Sequence, residues 1–172
     1  MSMQSTMRWH IVAPFVALGG GVLGVFGAVL QEFFYGSIFI VFVAGPMIEE
    51  VMKPTGVYLL YVVKRDACRG RVYTALLAAC GGISFALVEN FFYLRLYYPE
   101  HSHTLVTFRY TWPIVMHTAT SFILGFGIND TLFRSIRGEI PFLKENWVFF
   151  ITPMVMHSTF NIVMVVIGKR WV

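Results

Sequence analysis

Charged side chains interrupt a long apolar segment of this chain. The segment covers residues 33–63, and Glu49, Glu50 and Lys53 lie near its middle. A charge at the centre of a bilayer costs about 2.5–3.5 kcal/mol on insertion scales. Three ionisable groups in such a segment therefore need partners, water or a function.

The composition indicates an integral membrane protein. Of the 172 residues, 57% are hydrophobic and 13% are charged, whereas about 25% of the residues of a typical soluble domain are charged. The net charge of +4 does not indicate a nucleic-acid surface, because Lys and Arg lie mainly between the apolar segments. Cys68 and Cys80 have neither the spacing of a metal site nor that of a disulfide framework.

Five apolar segments are each long enough to cross a bilayer, which takes about 20 residues. They predict an all-α fold, a polytopic helical bundle with about five transmembrane helices in one membrane-embedded domain over residues 1–172. The expected helices cover residues 10–30, 33–63, 72–98, 111–133 and 147–167. Pro46 and Pro54 predict a kink, a tilt or partial unwinding in the second helix. Glycines of the first helix, such as Gly20 and Gly24, favour close approach to its neighbours.

The distribution of Lys and Arg predicts the orientation of the bundle. With five spans the two chain ends lie on opposite sides, and the side with more Lys and Arg faces the cytoplasm. That side holds the N-terminus and the segments 64–71 and 134–144. The other side holds Arg95, Arg109, Lys169 and Arg170. We therefore expect a cytoplasmic N-terminus and an external C-terminus, and we interpret Arg95 and Arg109 as interfacial anchors.

Four of the expected helices carry acidic or imidazole side chains at a similar depth. These residues are Glu49 and Glu50 on the second helix, Glu89 on the third, His117 on the fourth and His157 on the fifth. A single polar residue in a span commonly just joins two helices, but four spans that converge at one depth indicate a shared buried cavity. Residues four apart lie on one helix face, which adds Lys53, Tyr93 and Asn161 to these polar stripes.

The order and spacing of these residues resemble the four motifs of the PrsW family of intramembrane proteases. The matching strings are Glu49-Glu50-x-x-Lys53, Phe85-x-x-x-Glu89-x-x-x-Tyr93, His117 followed by Gly125, and His157-x-x-x-Asn161. The resemblance implies an endopeptidase of a prokaryotic cell membrane, related more distantly to the CAAX prenyl-protein proteases. Its substrate would be a membrane-anchored protein, such as an anti-sigma-factor-like regulator, cleaved in or near its membrane-embedded region.

Peptide hydrolysis requires a base that activates water, donors that stabilise the oxyanion and an acid that protonates the leaving amine. Closely spaced buried carboxylates do not all ionise, so one of them can act as the base while another stays protonated. We expect Glu49 to be the general base, because the similarity to the CAAX protease branch favours the first glutamate of the pair. The other expected roles are water holding by Glu50 and Glu89, oxyanion stabilisation by His157 and Asn161, proton transfer by His117, and supporting roles for Lys53 and Tyr93.

A metal-dependent mechanism uses nearly the same residues. Two histidines and a glutamate are a common catalytic zinc set, and here they would be His117, His157 and one of Glu49, Glu50 and Glu89. The sequence lacks the His-Glu-x-x-His signature of many zinc proteases. It therefore favours glutamate chemistry without a cofactor over a zinc enzyme.

Two other classes of function fit the same polar residues. A proton-coupled transporter or channel would use the Glu and His cluster as a relay, and a haem protein would use His117 and His157 as axial ligands. The sequence carries no nucleotide-binding loop and no nucleic-acid surface. The expected partners are therefore a membrane-anchored protein or peptide substrate and the lipid bilayer.

Overall fold

The computed structural model describes residues 3–35, 39–97 and 99–168, which form a bundle of α-helices without strands. The helices in this part of the chain are α1 (Met3–Tyr35), α2 (Gly45–Met52), α3 (Thr55–Val63), α4 (Gly70–Phe92), α5 (His103–Arg109), α6 (Trp112–Gly125), α7 (Asp130–Ile136) and α8 (Trp147–Gly168). Short π-helical turns cover Ile40–Ala44 and Tyr93–Tyr97. Lys169 and Arg170, which entered the orientation prediction, lie outside the described residues.

Three helical stretches are long and apolar enough to cross a bilayer. They are Trp9–Ala28 in α1, Gly70–Leu96 in α4 with its π-helical end, and Trp147–Val166 in α8. Large apolar side chains such as Phe15, Leu76 and Val155 are more than half exposed on them, as expected for surfaces that face lipid. The protein is therefore an integral membrane protein with a polytopic helical fold, as predicted.

The second predicted span, residues 33–63, is not one helix. It consists of the π-helical turn Ile40–Ala44 followed by α2 and α3, and the break between α2 and α3 lies at Lys53 and Pro54. Pro54 has no backbone N–H to continue the ladder of hydrogen bonds, so a new helix begins at Thr55. Pro46 lies in the first turn of α2, where a missing N–H costs nothing. Lys53 is the C-cap of α2, three residues after Glu50.

The fourth predicted span, residues 111–133, is also two helices. α6 ends at Gly125, and α7 begins only at Asp130. The side-chain oxygen of Asn129 accepts a hydrogen bond from the backbone N–H of Leu132 at 3.2 Å, so Asn129 is the N-cap of α7. Hydropathy alone predicts one continuous helix here, whereas the N-cap at Asn129 starts a second helix.

The segment between α4 and α6, which lies between the third and fourth predicted spans, contains the helix α5. The side chain of Ser102 accepts from the backbone N–H of Leu105 at 3.2 Å and caps this helix. No residue of α5 is buried, so hydropathy gave no sign of it. The predicted span 72–98 correspondingly ends as an α-helix at Phe92 and continues as the turn Tyr93–Tyr97.

The end of α3 and the residues after it contact Asp130, the first residue of α7. Tyr61 donates to Asp130 Oδ1 at 2.8 Å, and the guanidinium of Arg65 donates to Oδ2. These contacts place the segment after α3 beside the start of α7. The predicted orientation of the bundle stays a prediction.

Glycine allows α1 to approach α3 very closely. A Cβ atom on Gly20 would lie 2.0 Å from the backbone nitrogen of Gly56, a separation that no side chain can occupy. The two backbones are therefore in direct contact, as the glycines of the first helix predict. α4 packs against both α1 and α6, and its polar residues consequently face the interior of the bundle.

Candidate active site

Six ionisable side chains from four helical segments meet in the interior. They are Glu49 and Glu50 on α2, Lys53 directly after α2, Glu89 on α4, His117 on α6 and His157 on α8. Each of them is buried, and Glu50 and Lys53 have no exposed surface at all. The structure thus brings together the acids and imidazoles that the sequence placed at a common depth.

Glu50 joins Lys53 to His157. Lys53 Nζ donates to Glu50 Oε1 at 2.5 Å, and His157 Nδ1 lies 2.7 Å from the same oxygen. An ionised carboxylate only accepts hydrogen bonds, so His157 donates from Nδ1 and its Nε2 is left as the acceptor. That nitrogen lies 3.6 Å from Glu49 Oε2. Lys53 is also 5.1 Å from the centre of the Phe85 ring, a favourable cation–π distance.

Glu89 holds the second histidine in a similar way. His117 Nε2 lies 3.1 Å from Glu89 Oε2, so the imidazole donates through Nε2 to the carboxylate. The other ring nitrogen, His117 Nδ1, is buried and has no hydrogen-bond partner among the residues that the structure describes. A buried polar atom of this kind is rare in native proteins and commonly marks a place for a ligand.

Glu49, His117 and His157 have the geometry of a metal-binding set. Each offers one ligand atom, and these atoms all lie within 4.8 Å of one another. Two imidazoles and one carboxylate are a ligand set of catalytic zinc sites. In such sites the ring nitrogen that does not bind the metal commonly donates a hydrogen bond to a carboxylate. Here Glu50 accepts such a bond from His157, and Glu89 accepts one from His117. The residues present therefore fit a divalent metal ion.

The two histidine rings contact each other edge to face. Their centroids are 4.9 Å apart and the ring planes are at 89°. A haem plane needs its two axial imidazoles on opposite faces with the macrocycle between them, and direct ring contact leaves no space for one. The geometry therefore argues against the bis-histidine haem alternative.

The remaining predicted site residues are Tyr93 and Asn161, and both are only partly buried. Tyr93 follows α4, and the guanidinium of Arg109 lies over its ring, 4.0 Å from the ring centre. Asn161 lies one turn after His157 on α8 and is only partly buried. The expected oxyanion role of Asn161 stays a prediction.

Arg109 is a residue that the sequence interpretation misplaced. It was assigned as an interfacial anchor, but its Nη2 lies 3.7 Å from Glu89 Oε2 and its side chain is only 15% exposed. No local sequence pattern distinguishes it from the exposed Arg95, because its inward direction depends on the tertiary contacts of the end of α5, such as the hydrogen bond from Asn90 Nδ2 to the Arg109 carbonyl oxygen. The expectation for Arg109 is therefore corrected by tertiary structure.

Comparison with known families gives one match. The model of a family described as PrsW family intramembrane metalloprotease matches residues 7–171, nearly the whole chain. Comparisons with curated proteins and with solved structures found no match. The family match covers every residue of the buried cluster.

Proposed function

Because this chain belongs to the PrsW family of intramembrane proteases, we propose that it hydrolyses a peptide bond of a membrane-anchored substrate with the help of a divalent metal ion. The observation that carries the metal-dependent form of the proposal is the set Glu49, His117 and His157, whose ligand atoms lie within 4.8 Å of one another. Glu50 and Glu89 support the same assignment, because each accepts a hydrogen bond from the histidine nitrogen that would not bind the metal: Glu50 from His157 Nδ1 and Glu89 from His117 Nε2.

The chain would hold the ion with three side chains. His157 offers Nε2 because its Nδ1 is engaged by Glu50, and His117 offers Nδ1 because its Nε2 is engaged by Glu89. Glu49 adds one carboxylate oxygen. A divalent ion such as Zn²⁺ supplies Lewis-acid chemistry in a site of this kind, since it acidifies water and polarises a carbonyl group.

Glu50 and Lys53 orient His157. By accepting from Nδ1, Glu50 fixes the tautomer and the ring direction of the imidazole and makes Nε2 a better electron donor. Lys53 offsets the charge of Glu50 at 2.5 Å, so that the carboxylate tolerates complete burial. The Glu49-Glu50-x-x-Lys53 string therefore combines a ligand, an orienting carboxylate and its counter-charge within one turn of helix.

Glu50 is also suited to accept a proton during hydrolysis. Its Oε1 is engaged by Lys53 and His157, whereas its Oε2 has no hydrogen-bond partner in the part of the chain described here. A general base needs a free lone pair within reach of the attacking water. We assign this role to Glu50 Oε2, and a later transfer to the leaving amine would return the proton to the substrate.

A second candidate mechanism uses no metal. In this version Glu49 is the general base, while His157 and Asn161 stabilise the oxyanion, as the sequence interpretation favours. The 3.6 Å distance between His157 Nε2 and Glu49 Oε2 supports it, because an imidazole at this distance can exchange a proton with the carboxylate after a small movement.

Metal content and chelation separate the two mechanisms. We expect the purified wild type to retain about one divalent ion per chain, and H117A and H157A to lose most of it, because each removes a ligand. H103A is the matched control, since His103 lies exposed on α5. Activity that survives thorough chelation would overturn the metal-dependent mechanism and leave the glutamate mechanism standing.

The substrate and the orientation complete the proposal. The resemblance to PrsW proteases supports a membrane-anchored regulator of the anti-sigma-factor type, and the distribution of Lys and Arg supports a cytoplasmic N-terminus. Wild-type and E49Q protein can each be reconstituted with membranes of the source organism. Mass spectrometry of the new peptide N-termini would then identify the cleaved proteins. Cleavage products that are equally abundant with E49Q would contradict the proposed activity.

A further inference from the structure

The active site contains two similar series of side chains, each consisting of a cation, a carboxylate and an imidazole. The two series are Lys53, Glu50 and His157, and Arg109, Glu89 and His117. Lys53 belongs to the predicted motifs, whereas Arg109 belongs to none of them. The similarity suggests that Arg109 does for His117 what Lys53 does for His157.

Arg109 is fixed to α4 at both its backbone and its side chain. Its carbonyl oxygen accepts from Asn90 Nδ2 at 2.6 Å, and Asn90 is completely buried. Its guanidinium lies 4.0 Å from the centre of the Tyr93 ring. Glu89 and Asn90 lie in the last turn of α4, and Tyr93 is the first residue of the π-helical turn that follows it. An arginine that anchors a helix at the membrane surface extends its charge toward water, but Arg109 turns its charge inward.

The buried carboxylates require this charge. Glu49, Glu50 and Glu89 carry up to three negative charges in the interior, and a buried charge without a partner is very costly. Lys53 forms an ion pair with Glu50, and Arg109 forms one with Glu89. Arginine cannot be deprotonated in proteins, so Arg109 provides a permanent counter-charge for Glu89.

The distance between Arg109 and Glu89 leaves the hydrogen bond of His117 intact. Arg109 Nη2 is 3.7 Å from Glu89 Oε2, longer than a hydrogen bond, while His117 Nε2 is 3.1 Å from the same oxygen. Arg109 therefore attracts the carboxylate without competing for its lone pair. The result is that His117 keeps Nε2 on Glu89 and presents Nδ1 toward Glu49 and His157.

We propose that Arg109 is a positioning residue of the active site, which holds Glu89 in place and thereby directs His117 Nδ1 toward the metal set. This inference rests on the proposed metal-dependent function. Arg109 pairs with Glu89, which is not itself one of the three proposed ligands, so its effect is transmitted through Glu89.

Cobalt binding tests the proposal without any substrate. Detergent-purified apoprotein is titrated with Co²⁺, and binding is followed by visible absorption and by competition with a chelator. We expect R109Q to weaken Co²⁺ binding about tenfold, the lower end of the range for residues that orient metal ligands, and R109K to restore part of the loss. R95Q is the matched control, because Arg95 also lies near an aromatic ring, Phe91 at 5.9 Å, but is exposed. It should bind Co²⁺ as the wild type does.

The E89Q background distinguishes positioning from general destabilisation. If Arg109 acts through Glu89, R109Q adds no further loss of Co²⁺ affinity once Glu89 has been replaced. Equal affinities of R109Q and the wild type, or additive losses in R109Q/E89Q, would overturn the proposal while leaving the metal site established. If R109Q does not fold, the same comparison is made with R109K. A wild type that binds no Co²⁺ would overturn the metal-dependent function and this inference with it.

Discussion

Lys53 Nζ and Glu50 Oε1 form an ion pair of 2.5 Å in which neither side chain has any exposed surface. The pair lies where α2 ends before Pro54, and because Lys53 still has helical backbone angles, the i,i+3 spacing places its ammonium group on the same helix face as the Glu50 carboxylate. This arrangement explains how charged residues remain in an apolar segment. They neutralise each other inside the protein, and neither contacts lipid.

Removal of Lys53 alone should destabilise the protein. K53M leaves Glu50 buried without its counter-charge, and loss of one partner of a buried ion pair costs about 3–5 kcal/mol. The double variant K53M/E50Q should recover much of this loss, because no charge is then left unpaired. Thermal unfolding in detergent measures both effects, with K144M, a change at an exposed lysine, as the control. Equal stability of K53M and K144M would contradict the assigned role of the pair.

Replacement of Glu49 should abolish proteolysis without unfolding the protein. We expect E49Q to lower the rate of substrate cleavage at least about 100-fold, since both proposed mechanisms use this carboxylate, as a ligand or as a general base. E100Q changes an exposed glutamate outside the site and should cleave at the wild-type rate. The measurement is cleavage in reconstituted liposomes. A transporter with the same buried residues would instead show solute or ion flux, with no cleavage products in either variant.

The contact between α4 and α6 should be sensitive to a single methyl group. A Cβ atom on Gly82 would lie 2.5 Å from the carbonyl oxygen of His117 and 2.6 Å from Ser121 Oγ. G82A should therefore push α6 away from α4, costing about 1–3 kcal/mol as other overpacked sites do, and should also weaken metal binding by displacing His117. G19A adds the same methyl group where nothing lies within 4 Å. Unfolding and Co²⁺ titration of the two variants should differ accordingly.

The thiol of Cys68 should react slowly at neutral pH. Cys68 lies in the loop before α4, and burial raises its pKa from the ordinary value of 9.0 to about 11. Because the thiolate is the reactive form, its fraction near neutral pH is about 100-fold lower than that of an ordinary thiol. In a C80S background, the rate of alkylation should increase about tenfold for each unit by which the pH is raised, until the pH reaches the pKa of Cys68. A rate that levels off near pH 9.0, the ordinary pKa, would show that the thiol is not shielded.

The motifs and the depth of the polar residues were readable in the sequence because they are local properties. Apolar length identifies membrane spans, and spacing of four along a helix identifies a polar face. These two signals were sufficient for the helical membrane fold and for the selection of Glu49, Glu50, Glu89, His117 and His157, and the motif strings around these residues carried the family resemblance. Pro54 also marked the place where the second span is interrupted.

Tertiary structure decided which of these side chains pair. Glu50 pairs with His157 across 107 positions of the chain, and Glu89 pairs with His117 across 28. Such pairs depend on the rotation and separation of whole helices, which are set by contacts such as that between Gly20 and Gly56. No local pattern contains this information.

The sequence alone thus determined a helical membrane protein with acids and histidines at one depth, because hydrophobic length and helical spacing act within each segment. Only the tertiary structure selected Glu49, His117 and His157 as the group that fits a metal ion, and only it brought Arg109 to Glu89. The physical reason is that burial and charge pairing act between segments. Their outcome therefore depends on how the helices pack.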